Sequence, residues 1–161
     1  MKATRIAVAF VLTLSASLAL AASDAQNTFN KLKMLEGTWE GKTAQGQPVK
    51  VTYHVISGGT AIMSEASEDA MVTMYHLDGD RLLMTHYCGA GNQPRMVGKL
   101  SADGKSLDFS FIDATNLASA KSGHMQHATF NFADGDHYSE QWTFSQDGKE
   151  TTEQFSLERR Q

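Results

Sequence analysis

From residue 38 onward, apolar and polar side chains alternate with a period of two in short runs, and the runs are separated by Gln-Gly or Asp-Gly pairs at 45–46, 78–79, 103–104, 134–135 and 147–148. Such pairs supply the positive φ that tight hairpins need, so each run reads as a strand turning back beside its neighbour. The pattern predicts strands near 38–43, 48–56, 60–67, 70–77, 81–88, 95–101, 106–113, 125–133, 136–145 and 149–158. A twisted sheet of about ten strands must close or split into two layers, and a meander favours closure because sequential strands can pair all the way round. The expectation is an all-β fold, a single antiparallel meander β-barrel of about ten strands. The only helical pattern precedes the first strand, where Phe29, Leu32 and Leu35 share a face and Gly37 stands at the position of a C-terminal cap. This short N-terminal helix is expected to plug one end. The stretch 115–123, rich in small residues, is expected to form a loop or short helix over a mouth.

Alternation also assigns faces. Val49, Val51, Tyr53 and Val55 share one parity, as do Leu107, Phe109 and Phe111, and as do Tyr138, Glu140, Trp142 and Phe144. Phe155 and Leu157 share theirs with Thr151 and Glu153, and Phe130 and Phe132 share theirs with His124 and Gln126. The inward faces therefore mix polar groups into an apolar lining, which is the composition of a ligand cavity rather than of a solid core. Glu140, between Tyr138 and Trp142, is the sharpest case. Buried, it needs a partner such as a tyrosine hydroxyl, because an unpaired carboxylate costs several kcal/mol; near a rim, it would be wet.

The segment from Met71 to Met96 concentrates His76, His86, Cys88, Asn92, Gln93 and Arg95 in one hairpin and its following loop. Leu82, Met84, His86 and Cys88 share a parity. A three-residue turn ending in Gly79 would add Val72, Met74 and His76 to that face, whereas a two-residue turn would send His76 to the other. Three readings follow. His86 with Arg95 or Asn92 forms a polar end to a cavity; or Met, His and Cys at alternate positions hold a soft metal; or His86 and Cys88 are ordinary buried residues. Catalysis is a weaker reading. His86 and Glu140 facing one cavity could exchange protons, but His86 and Cys88 stand about 6–7 Å apart along a strand, and no nucleophile-elbow, zinc-helix or phosphate-loop motif occurs. His124 and His127 have opposite parity and make a poor chelating pair in a strand.

The remaining features bound the context. Lys2 and Arg5 precede an apolar run, Ile6 to Leu20, that ends in an Ala-x-Ala pattern, so residues 1–21 read as an export signal and 22–161 as one mature domain in the periplasm or outside the cell. The run, about 15 residues, is shorter than the roughly 20 needed to cross a bilayer, and no stable membrane insertion is expected. Losing Lys2 and Arg5 takes the net charge from −4 to −6, which argues against nucleic acid as a partner. Cys88 is the only cysteine, so no internal disulfide can form.

Leu35-Glu36-Gly37-Thr38-Trp39-Glu40-Gly41 resembles the G-x-W opening of lipocalin-like barrels, and the G-T-W-x-G opening of the nitrobindin-like group. The resemblance implies a tryptophan packed across the closed end and a small apolar ligand, or haem in the nitrobindin-like branch, held there by a histidine near the C-terminus. No histidine follows His137 here, so haem would fall to His86 or His124. The reading as a whole is a monomeric exported barrel for a small, partly apolar molecule. Trp39, Tyr53, Trp142 and Phe144 are expected to line the cavity, with His86, Cys88, Arg95, His124, Tyr138 and Glu140 as its polar contacts; a metal or haem protein using His86 and Cys88 is the alternative.

Overall fold

The computed structural model describes residues 23–67 and 70–160, and the export signal read in the sequence lies outside the described residues. Ser23 caps helix α1 (Asp24–Lys33), its side chain accepting the Gln26 N–H at 3.2 Å. Asp24 in the first turn and Lys31 and Lys33 in the last complement the helix dipole. Ala25, Thr28, Phe29 and Leu32, spaced three and four apart, form the buried side.

Ten strands follow: β1 (Gly37–Thr43), β2 (Pro48–Ile56), β3 (Ala61–Ala66), β4 (Met71–Asp78), β5 (Arg81–Tyr87), β6 (Gln93–Leu100), β7 (Ser106–Thr115), β8 (His124–Phe132), β9 (His137–Gln146) and β10 (Lys149–Arg160). Each pairs antiparallel with its sequence neighbours, and β1 pairs with β10, so the sheet closes into a ten-stranded meander barrel. The turn chemistry behind this is plain at β9–β10, where Gln146 pairs with Lys149 across Asp147 and Gly148, both at positive φ (52° and 75°).

The closing seam depends on a glycine. A Cβ on Gly41 would stand 1.8 Å from the Ser156 carbonyl oxygen, a backbone atom with nowhere to go, so only glycine lets β1 approach β10 this closely. Next to it, Trp39 is 1% exposed and fills the helix end of the barrel. Its Nε1 donates to the Leu35 carbonyl at 2.7 Å, its ring meets Tyr138 edge-on at 4.7 Å, and the Arg159 guanidinium lies over it at 4.2 Å. Arg159 also donates to the carbonyls of Met34 and Glu36, at 2.6 and 2.7 Å, tying the end of the helix segment to the last strand. Phe29, Leu32 and Leu35 continue the core above Trp39, and α1 packs over β4, β5 and β6. The opposite end, where β4, β8 and β10 begin, carries no helix among the described residues.

Two local expectations are corrected, at Gly37 and in β8, and one open choice, at the β4–β5 turn, is decided. Gly37 is not the helix cap: the cap is Met34, the chain runs on through bonds from Leu35 and Glu36 N–H to the Leu32 and Lys33 carbonyls, and Gly37 (φ 116°) is the first residue of β1. The β4–β5 turn has two residues, with Asp78 opposite Arg81, so Thr73 and Tyr75 face inward rather than Val72, Met74 and His76. The Asp78–Arg81 ion pair closes that tight turn. In β8 the register shifts between Met125 and His127, which takes Gln126 out of the parity of Phe130 and sets Met125 opposite Phe144 on the inner side.

Trp39→Ala should lower stability by about 3–5 kcal/mol through the void it leaves, and Gly41→Ala by about 3 kcal/mol or more because the added methyl meets backbone. Urea melts measure both. Hydrogen exchange should show the β1 and β10 amides loosened selectively by Gly41→Ala; a melt within a degree of the parent for either variant contradicts the closure described.

Candidate functional site

The inner wall changes character along the barrel. Toward the helix it is filled by Trp39, Leu82, Leu107, Phe109, Phe130 and Leu157, leaving no room for a guest. Toward the open end Ser64 on β3, Thr73 on β4, His86 on β5 and Glu140 on β9 turn inward, all buried.

Glu140 is 3% exposed and organises this layer. Tyr53 on β2 donates to its Oε1 at 2.6 Å, Tyr138 donates to the same oxygen at 2.7 Å, and the Trp142 indole N–H donates to Oε2 at 2.7 Å. Tyr138 and Trp142 reach it because residues two apart on a strand share a face. Burial pushes the Glu140 carboxyl above the usual carboxylate range, against the pull of these three donors. Burial, followed by the charge of Glu140, raises Tyr53 and Tyr138 well above an ordinary phenol, so both keep their protons and remain donors. Tyr75 is raised for the same two reasons; its hydroxyl sits among Ser64, Thr73 and Tyr53 without a well-directed bond to any of them.

His86 is 4% exposed, its ring 5.0 Å from that of Trp142. Nδ1 lies 2.9 Å from Thr73 Oγ1, while Nε2 is buried with no partner. Desolvation pulls the imidazole down from 6.5 to about 4, so it is neutral in ordinary buffers. Beside it is a chamber of about 70 Å³ walled by Ser64, Thr73, His86, Glu140 and Trp142, with Val49, Val51, Ala66, Met71, Met125, Phe155 and Glu153 as its collar. That holds a few waters or the head of a small molecule, well below the roughly 300 Å³ at which drug-sized pockets begin. Met125, Trp142 and Glu153 also line an open vestibule of about 510 Å³ with Phe144 and Thr151. A wider concavity, about 1210 Å³, is a groove on the outer wall among Glu40, Lys42, Lys50, Glu158 and Arg160.

The structure therefore brings together Tyr53, His86, Tyr138, Glu140 and Trp142. Trp39 and Tyr53 belong to packed core rather than to chamber wall, and Phe144 lines the vestibule. Three predicted contacts stand elsewhere. Arg95 is on the outer face, where it makes a two-pronged pair with Asp113 at 2.6 and 2.5 Å. Cys88 opens the turn after β5, its carbonyl accepting from Gly91 N–H, and it is not part of the chamber wall. His124 packs on Phe111 and has both ring nitrogens engaged, with the Ser122 carbonyl and the Gln126 amide, each at 2.8 Å. Thr73, Tyr75 and Ser64 were not singled out in the sequence. The signal for Thr73 and Tyr75 was the length of the β4–β5 turn, which shifts the parity of β4 by one; Ser64 lies opposite Thr73 and follows from it.

The donor set does not suit haem or a soft metal. The only histidine with a free nitrogen on the chamber has about 70 Å³ before it, too little for a macrocycle, and Cys88 does not join it. Among the described residues no group of three or more His, Cys, Asp or Glu converges as a metal site.

No protein-family model matches the sequence, and no curated protein sequence matches it. Among solved structures, the barrel is similar to a protein of unknown function from the DUF3598 family of Nostoc punctiforme PCC 73102, with a TM-score of 0.55 and 13% identity over 81% of this chain. This chain spans about half of that protein, 49% of its length. It is likewise similar to Rv2717c from M. tuberculosis, with a TM-score of 0.53, 16% identity, and coverage of 83% of this chain and 97% of the other. At these identities the likeness is one of fold, and it fits a lipocalin-like barrel.

Proposed function

We propose that this is an exported binding protein for a small, partly apolar molecule, which enters at the helix-free end, lays its apolar part against Met71, Met125, Phe144 and Phe155, and points a polar head at His86. The observation that carries this reading is His86, whose buried Nε2 has no partner, on the wall of a chamber that leads to the outside. A polar atom so placed costs about 1–3 kcal/mol if nothing meets it. A water or a ligand head group removes that cost, and the apolar collar favours the ligand. Export is supported by Lys2, Arg5 and the apolar run ending in Ala-x-Ala.

Binding is tested with the exported protein. Native mass spectrometry should show a retained small molecule, and the neutral dye N-phenyl-1-naphthylamine should brighten in the vestibule. His86→Leu, which removes the nitrogen and keeps most of the volume, should weaken retention of that molecule at least about tenfold, equivalent to about 1.4 kcal/mol. Neither retained mass nor dye enhancement in a folded sample would refute the reading.

Acid stability tests the placement of His86. Its folded value of about 4 lies below the unfolded 6.5, so its contribution is fully present above pH 6.5 and is lost as pH falls through about 4. Glu140 works oppositely: raised by burial, it favours the fold at low pH and loses that contribution as pH rises. Comparison with His86→Leu isolates the histidine. Between pH 7 and pH 5 the parent should lose about 2 kcal/mol more than the variant in urea melts; parallel losses would show that His86 is not desolvated.

A further inference from the structure

Resting on the binding reading above, the geometry points to a ligand class: we propose that the head group seated between Glu140 and His86 is a protonated primary amine carried on an apolar body. The first support is the chemistry of Glu140. An ionised carboxylate has about four acceptor positions. Three are taken, two on Oε1 by the tyrosines and one on Oε2 by the indole. Oε2 keeps one, and Glu140 is part of the chamber wall. Three donors directed at one side chain favour the carboxylate, burial opposes it, and the wall supplies no compensating charge. Among the described residues it contains Glu140 and Glu153 and neither lysine nor arginine.

The second support is independent of the first. His86 is on the same wall, and its buried Nε2 has no partner. Nδ1 lies 2.9 Å from Thr73 Oγ1, and in the tautomer that carries the proton on Nδ1 the Nε2 atom is an acceptor. Burial keeps the ring neutral, so it does not repel a cation. An ammonium entering a buried site gives up its hydration, and it gains only if all three N–H groups find acceptors. Glu140 Oε2, His86 Nε2 and the Ser64 hydroxyl, all on the wall, make three. The Trp142 ring, tilted against His86 with centroids 5.0 Å apart, adds a π-face for the charge.

Size and charge exclude the competing head groups. A volume of about 70 Å³ admits an ammonium and its first methylenes but not a ring, so the body of the molecule lies in the collar and vestibule. A carboxylate or phosphate would meet Glu140 with like charge and find no cationic donor. An alcohol could pair with His86 but would leave the carboxylate uncompensated.

The test is isothermal titration of the folded exported protein at pH 7 with 2-phenylethylamine, 2-phenylethanol and 3-phenylpropionate. The amine should bind at least about tenfold tighter than the alcohol, and the acid weakest. Glu140→Gln should abolish the amine's advantage while leaving alcohol binding within about threefold; should that variant fail to fold, the order of affinities on the parent protein decides alone. Alcohol or acid binding as tightly as the amine overturns the amine proposal and leaves the binding reading intact. So does failure of all three compounds where N-phenyl-1-naphthylamine still binds. If the dye fails as well, the chamber is not a binding site and both fall.

Discussion

A carboxylate near the middle of an apolar barrel is tolerated only when its surroundings are built around it, and Glu140 imposes that order on the wall. Its acceptors draw Tyr53 from β2, three strands away across β10 and β1, and Tyr138 and Trp142 from its own strand. Each donor is itself buried and would be costly without an acceptor, so the four side chains satisfy one another and none can be changed alone without leaving a polar atom unmet. The rings that carry these donors extend the arrangement into the core. Tyr138 meets Trp39 and Phe130, and Trp142 meets Phe130 and His86. The polar cluster thus fixes the rotamers of the aromatic filling, and through Trp39 it reaches the closing seam and the helix plug.

The same cluster decides how much of the barrel is hollow. A ten-stranded cylinder has room for a sizeable guest, but here large aromatic and aliphatic side chains occupy the half under α1, and the carboxylate cluster forms the floor above them. Only the layer beyond that floor is open. There the side chains shrink to Ser64, Thr73 and Ala66, and the space left by those small residues is the chamber. Its polarity follows from the same substitution of small polar groups for large apolar ones. In the proposed binding role a guest would be read by its head rather than enclosed whole, with its body left in the vestibule.

Much of the fold was legible in the sequence because the signals were local and repeated. Period-two alternation and Asp-Gly turns place ten strands within a few residues of their ends, and the Gly-Thr-Trp opening places the tryptophan under the helix. Glu140 was legible for a related reason: a carboxylate between Tyr138 and Trp142 on an aromatic face has few ways to be buried. The site was less legible where it depends on a shift of one residue. The length of the β4–β5 turn decides whether Thr73 or His76 faces His86, and Asp78-Gly79-Asp80 fits a two- or a three-residue turn equally well until strand pairing chooses. The β8 bulge is similar, since nothing local marks Gln126 as the residue left out of the ladder. Arg95 was grouped with His86 because the two are close in sequence, but it lies within β6 and its partner Asp113 stands on the next strand beside another irregularity.

These one-residue shifts are what make the chamber asymmetric. With the shorter turn, β4 presents Thr73 to His86 Nδ1, which fixes that edge of the ring and leaves Nε2 buried without a partner. With the bulge, β8 presents Met125 instead of Gln126, so the side of the chamber facing His86 across the mouth is a flexible thioether rather than an amide that could have bonded to the ring. Had Gln126 kept its parity, its amide would have stood on the inner face, able to compete for the imidazole nitrogen. The bulge directs that amide to His124 instead, where it completes a second, closed histidine environment. One irregularity therefore both satisfies His124 and keeps a potential partner away from His86, and the contrast between the two buried histidines is the physical basis for proposing a ligand contact at only one of them.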